Sequence, residues 1–228
     1  MSRTTTASNT GEHPDLTARL ALLDAHREAL AACRRCAGLI PPEARPIVSL
    51  ASEPVAMLVG QAPGKVEISG GRPFAGRSGQ TLFRWFEDAG MDEESVRSRI
   101  YLAAVTRCFP GPHPSGRGDR VPSPVERVNC RPWLEAELAI IRPRLLIPVG
   151  RLAVDHFLGK VPLSQVVGRA IPVEHPGGVS TAVALPHPSG ASGWLNTPEH
   201  RKLLNSAIGL LQRGIAGESL LGETSPID

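Results

Sequence analysis

At 228 residues the chain has material for one α/β domain with a sizeable core, and hardly for two. Hydrophobic residues make up 41% and charged residues 21%, which excludes a chain too polar to fold; a formal net charge of +3 neither announces a nucleic-acid partner nor excludes a local basic face. No apolar run approaches the roughly 20 residues that cross a bilayer, and the polar opening has no secretory core, so a cytoplasmic protein with no membrane partner is expected.

Taken in chain order, residues 1–14 read as a disordered tail of Thr, Ser, Asn and Gly. Residues 15–213 read as a single domain, and 214–228 as a flexible C-terminal tail. The domain starts with Leu16, Leu20, Leu22, Leu23 and Leu30, spaced mostly by three and four, which predicts an amphipathic helix running into Cys33. Val55 to Val59 is a short apolar run closed by Gly60, as a buried parallel strand would be. A glycine-rich loop follows from Gln61 to Gly79, then a helix from Gln80 to Ala89 that stops at Gly90. Ile100 to Val105 predicts the second strand, and the Pro/Gly-rich stretch from Phe109 to Pro124 a loop. A second long helix is expected from Glu126 to Ile141, a third strand from Leu145 to Val149 and a fourth from Ala182 to Leu185. The last helix runs from about Pro198 to Gln212.

Buried strands alternating with helices imply a three-layer α/β/α fold around a central four-stranded parallel sheet. Ligands of such sheets bind beyond the carboxyl ends of the strands. The loops 60–79, 106–124 and 186–196 leave those ends and should converge on one crevice.

Four cysteines in a reducing compartment are poor candidates for two disulfides. Cys33 and Cys36 form C-R-R-C at a helix end; Cys108 follows a strand, and Cys130 opens the next helix. Spacing alone serves zinc, iron–sulfur or dithiol chemistry, and four unconnected core cysteines are the bland alternative.

Gly60-Gln61-Ala62-Pro63-Gly64-Lys65-Val66-Glu67, followed by Gly71-Arg72-Pro73-Phe74-Ala75-Gly76, resembles the first motif of the uracil-DNA glycosylase superfamily, closest to the iron–sulfur family 4 type. Cys108, Pro110, Pro122, Pro124, Cys130, Pro132 and Leu134 resemble that family's proline-flanked cysteine pattern. Leu145 to Arg151 resembles its buried strand, and His187-Pro188-Ser189 its third motif, in the same order. The resemblance covers about Cys33 to Gly209.

The resemblance implies a uracil-DNA glycosylase-like fold and a monomer that hydrolyses the N-glycosidic bond of uracil in DNA. It also implies a [4Fe-4S] cluster on Cys33, Cys36, Cys108 and Cys130. A base inside a duplex must be flipped out before it can be attacked, and Phe74 matches the family's stacking ring for it. Bond cleavage leaves positive charge on the sugar and negative charge on uracil, so fixed electrostatics carry the catalysis. Glu67 matches the family's carboxylate, and His187 matches its hydrogen-bond donor to uracil O2. Gln61, Ala62 and Gly64 are expected to hold the base or a phosphate through the backbone; Ser189 and Ala104 complete the substrate set. Arg77, Ser192 and Trp194 are expected on DNA, with Ala191, Trp194 or Leu195 as a wedge. Arg117, Arg120 and His113 are either phosphate contacts or solvated charges.

Two positions depart from family 4. Gln61 stands where the family has Glu, and Ala104 where an Asn reads the uracil edge. The Ala-Val-x-x-Cys segment is more like family 5, but Arg77 replaces that family's Asp. Alternatives are therefore an iron–sulfur protein that binds damaged or abasic DNA with weak turnover, or a glycosylase with a broadened range of deaminated bases. A zinc-bound nucleotide-handling protein is a third reading.

Overall fold

The computed structural model of the chain describes residues 16–116, 118–189 and 193–220. Helix α1 (Leu16–Ala31) leads through a long connection into β1 (Ala56–Gly60), α2 (Lys65–Gly70), α3 (Arg77–Asp88), α4 (Glu93–Arg99) and β2 (Ile100–Ala104). Then come α5 (Pro124–Ile141), β3 (Leu145–Pro148), α6 (Arg151–Leu158), α7 (Leu163–Val166), β4 (Ala170–His175), β5 (Gly178–Val183) and α8 (Pro198–Ile215).

The sheet has five strands in the order β2-β1-β3-β5-β4. Four of them are parallel neighbours. The fifth, β4, pairs antiparallel with β5 from Ala170↔Val183 to His175↔Gly178. The expected α/β/α class holds, with one more strand than the four expected. Strand β4 lies at the edge, mixes buried, half-buried and exposed residues and carries Pro172, so it lacks the apolar run that marks a central strand.

Side chains of period two divide the core into two layers. Ala56, Leu58, Ile100, Leu102, Leu145 and Ile147 pack on the face covered by α3, α4 and α8. Met57, Val59, Tyr101, Ala103 and Leu146 pack on the other, against Leu23 of α1 and Leu134, Leu138 and Ile141 of α5. Helix α8 extends to Ile215 and Leu220 is buried, so packing continues past the boundary expected at residue 213.

The long helices begin where their caps dictate. Ser123 Oγ accepts the N–H of Glu126, and Glu126 Oε2 accepts the N–H of Ser123, a reciprocal cap completed by Pro124 in the first turn. Thr197 caps α8 at the N–H of His200, again with Pro next. These caps fix where the loops entering α5 and α8 leave the sheet edge. No helix among the described residues is long and apolar enough to cross a membrane.

Candidate active site

The carboxyl ends of the parallel strands lie side by side. Gly60 is in register with Ala104, and Val59 with Pro148. Just beyond, the Val105 N–H donates to Gly60 O at 2.9 Å and the Thr106 N–H to Gln61 O at 3.2 Å. On the other flank the Gly150 N–H donates to Leu185 O at 2.9 Å. These bonds bring the turn after β1, Ala104 and the segment leading to His187 onto one edge.

Phe74 has a left-handed backbone, φ 54°. For a bulky residue this costs on the order of 1–3 kcal/mol, so the surroundings must enforce it. Glycines on both sides do so. The ring Cζ lies 3.0 Å from where a Gly60 Cβ would sit, and the Phe74 carbonyl oxygen 1.9 Å from where a Gly79 Cβ would sit. No side chain fits at Gly79 without moving Phe74. Arg97 adds a hydrogen bond to Pro73 O at 2.9 Å while stacking over Phe83. The ring is thus held, half-buried, against the end of β1.

Glu67 is buried in the first turn of α2 and works as a clasp. Its Oε2 accepts the Gly64 N–H at 2.9 Å, and its Oε1 accepts the Gly76 N–H at 3.1 Å. One carboxylate therefore ties the turn after β1 to the segment entering α3, with Phe74 between them. A second carboxylate lies beside it. Asp119 Oδ2 and Glu67 Oε2 are each 2.9 Å from the point a Gly64 Cβ would occupy. Burial, and then the negative charge of Glu67, hold the Asp119 carboxyl above its ordinary pKa.

His187 packs on Gly150, with its Cδ2 3.0 Å from the position of a Cβ there. Its Nδ1 accepts the backbone N–H of Ser189 at 3.1 Å and lies 2.8 Å from Ser189 Oγ. A nitrogen that accepts from a backbone N–H carries no proton in the neutral ring, so Nε2 is the donor. Burial lowers the pKa of this histidine, which favours that neutral form.

Arg77 sits exposed at the first position of α3. Trp194 lies flat on His200 at the start of α8, ring centroids 4.1 Å apart, and its carbonyl is 2.7 Å from His200 Nδ1. Ser192, Ala191 and Arg117 lie outside the described residues. Arg120 does not point outward: its guanidinium is paired with both oxygens of Glu126 and donates to Leu39 O. The Ala104 carbonyl is occupied by the Arg107 guanidinium, which also pairs with buried Glu137; Tyr101 donates to the same carboxylate at 2.9 Å.

The four cysteines, all free thiols, ring a separate cavity of about 250 Å³. Leu30, Ile40, Pro41, Ala44 and Trp133 give it an apolar wall. Burial pushes the Cys108 thiol up to about 12, with further contributions from Cys130, Cys36 and Cys33, so the four sulfurs act on one another. The Arg107 N–H donates to Cys130 Sγ at 3.2 Å, and Asn129 Nδ2 reaches Cys36 Sγ at 3.8 Å. Asn129 also donates to Arg35 O at 3.2 Å, stitching the C-R-R-C turn to α5. Among the described residues no three His, Cys, Asp or Glu side chains gather as one ion requires; a single zinc would draw its sulfurs to within about 4 Å of each other. A thiol-lined cavity with a largely apolar wall and N–H donors aimed at sulfur can hold a thiolate-bound inorganic group.

The family model of the uracil DNA glycosylase superfamily matches residues 49–209. The chain belongs to the uracil DNA glycosylase superfamily. Among this superfamily's characterised proteins, it is 31% identical to the type-4 uracil-DNA glycosylase of Thermotoga maritima over 133 residues, 58% of this chain and 64% of that protein. To the Archaeoglobus fulgidus type-4 enzyme it is 30% identical over 138 residues, again 58% and 64%. To that of Sulfurisphaera tokodaii it is 25% identical over 194 residues, 80% of each. The matched stretch thus spans less than two thirds of the first two relatives.

Within this superfamily framework the sequence reading reached Gln61, Gly64, Glu67, Phe74, Ala104 and His187, and the fold gathers their segments at one edge. It passed over Asp119. The available signal was a lone acid in Gly116-Arg117-Gly118-Asp119-Arg120, a turn-forming run in a segment that leaves a strand end.

Proposed function

We propose that this member of the superfamily is a monofunctional uracil-DNA glycosylase that starts base excision repair. The observation that carries the reading is the His187 imidazole, neutral and with Nε2–H as its donor, on the same strand edge as the strained Phe74. The family match and the names of the relatives support it.

In this reading the flipped uracil stacks on Phe74 and is held by backbone groups of Gln61, Ala62 and Gly64. The C1′–N1 bond breaks with its electron pair passing to the ring, and His187 Nε2–H stabilises the negative charge at uracil O2. Glu67 keeps a negative charge near the sugar, where the cation develops. Ala104 offers no amide and its carbonyl is taken by Arg107, so base selection falls to the backbone and a wider range of deaminated bases follows. Arg77 and Ser192 are assigned to phosphate, Ser189 to orienting His187. Trp194, stacked on α8, is assigned to supporting the loop that meets DNA.

Cys33, Cys36, Cys108 and Cys130 would hold a [4Fe-4S] cluster. When bound, it supplies a covalent brace between the end of α1, the segment after β2 and α5. Reduced thiols of this kind suit a reducing compartment such as the cytoplasm.

The test is an excision assay on uracil-, hypoxanthine- and xanthine-containing oligonucleotides, single- and double-stranded. Wild-type protein is expected to release uracil, and Glu67→Ala to release it orders of magnitude more slowly. No release from any substrate overturns the reading. Gln61 and Ala104 favour one competitor, a protein that binds damaged or abasic DNA with little turnover; retention without release identifies it.

A further inference from the structure

The loop between β2 and α5 is anchored as a short hairpin. Pro112 and Asp119 form an antiparallel bridge, the His113 N–H donates to Gly118 O at 2.9 Å, and the Arg120 N–H donates to Gly111 O at 3.0 Å. Arg120 then pins the hairpin to α5 through Glu126 and to the C-R-R-C segment through Leu39 O. The residue so presented is Asp119, beside Gly64 and Glu67.

The two carboxylates have different circumstances. Both oxygens of Glu67 are engaged by backbone N–H groups, so Glu67 is committed to holding the turn after β1. Asp119 is exposed as a residue, but its carboxyl is partly shielded beside Glu67, and no donor among the described residues hydrogen-bonds to it. Hydrolysis of a glycosidic bond needs a proton acceptor for water as well as negative charge near the sugar.

We propose that Asp119 is the catalytic base of the glycosylase, taking the proton of the attacking water while Glu67 holds the loop and its charge in place. The step balances. The water oxygen bonds to C1′, the C1′–N1 bond breaks with its electron pair leaving on uracil, and the water proton passes to an Asp119 carboxylate oxygen. Uracil departs as its anion, stabilised by the His187 donor. The inference rests on the glycosylase reading above and adds a residue outside the motifs that resemble the family.

Two features of the hairpin fit the role. Gly64 leaves room for both carboxylates, since a Cβ there would strike each of them. The raised pKa of Asp119, due to burial and then to Glu67, makes it the better proton acceptor. Among the described residues, Glu67 on α2 is the charged group that acts on it; on its own hairpin, Arg120 is paired with Glu126 and His113 bonds Ser115.

The experiment is single-turnover release of uracil by full-length wild type, Asp119→Asn and Asp119→Glu, across pH, with the Kd for uracil-containing DNA measured in parallel. Asp119→Asn is expected to lower the rate at saturating enzyme by at least about 100-fold with Kd unchanged. Asp119→Glu should recover part of the loss. Wild type should lose rate as pH falls through the Asp119 pKa, because a protonated carboxyl accepts no proton, and Asp119→Asn should lack that limb. An Asp119→Asn rate near wild type, a loss confined to Kd, or the same acid limb in both overturns the inference alone. Absence of uracil release by wild type removes the glycosylase reading and the inference with it.

Discussion

The cysteine cage and the strand edge are built on opposite principles. At the edge, protein groups satisfy one another: Glu67 is held by two N–H groups, Phe74 by two glycines, and His187 by the Ser189 N–H. In the cage four thiols surround a space that no side chain fills, and burial and mutual repulsion raise the pKa of Cys108. The edge is preorganised by the chain alone, whereas the cage leaves room for the cluster proposed above. One link between the cage and the edge is Arg107. Arg107 donates its N–H to Cys130 and its guanidinium to Ala104 O and Glu137.

Cys108→Ala should break the cage and nothing else directly. The purified variant is expected to lose the visible absorbance of thiolate-ligated iron completely and to melt at lower temperature. A colourless wild type carrying zinc would remove the cluster from the account. His187→Ala tests the other side. Uracil release should slow by about 100- to 1,000-fold, as for loss of one preorganised donor, while the absorbance and melting temperature stay at wild-type values. A variant that lost colour as well would show that the two regions are not separable.

Gly79→Ala probes how firmly the edge is packed. The added methyl meets the Phe74 carbonyl, so a loss of about 1–3 kcal/mol is expected in urea unfolding, with Phe74 displaced and excision slowed. Wild-type stability would mean that the left-handed Phe74 is not enforced by that contact. The smallest effect is that of pH on stability. Burial lowers the folded-state pKa of His156, His175 and His187 below 6.5. The unfolded chain then binds protons that the folded chain refuses, so this contribution is complete above about pH 6.5 and is lost as pH falls toward the folded values. Urea midpoints at pH 7.5 and 5.5 should differ in that direction, and less so in His175→Gln.

Much of the sheet was legible because central parallel strands are continuously apolar and stop at glycine, as Val55–Gly60 and Leu145–Gly150 do. Strand β4 was not, because an edge strand with a solvated face and a proline gives no such run. Short helices α2, α4 and α6 were also missed; six to eight residues hold too few turns to display a period. Glu67 and His187 were visible as motif residues, but their restraints were not. The clasp on Gly64 and Gly76 and the Nδ1 acceptor at Ser189 are facts of folded geometry.

The order of apolar runs, glycines and motif blocks determined the layered class and pointed to a candidate site at the strand ends and to the motif residues proposed for it, because those features depend on local period and local turn chemistry. Only the tertiary structure brought Asp119 beside Glu67 and closed C-R-R-C, Cys108 and Cys130 around one cavity. Such pairings join segments far apart in the chain. They are decided by where the hairpin and α5 pack on the sheet, which no local pattern encodes.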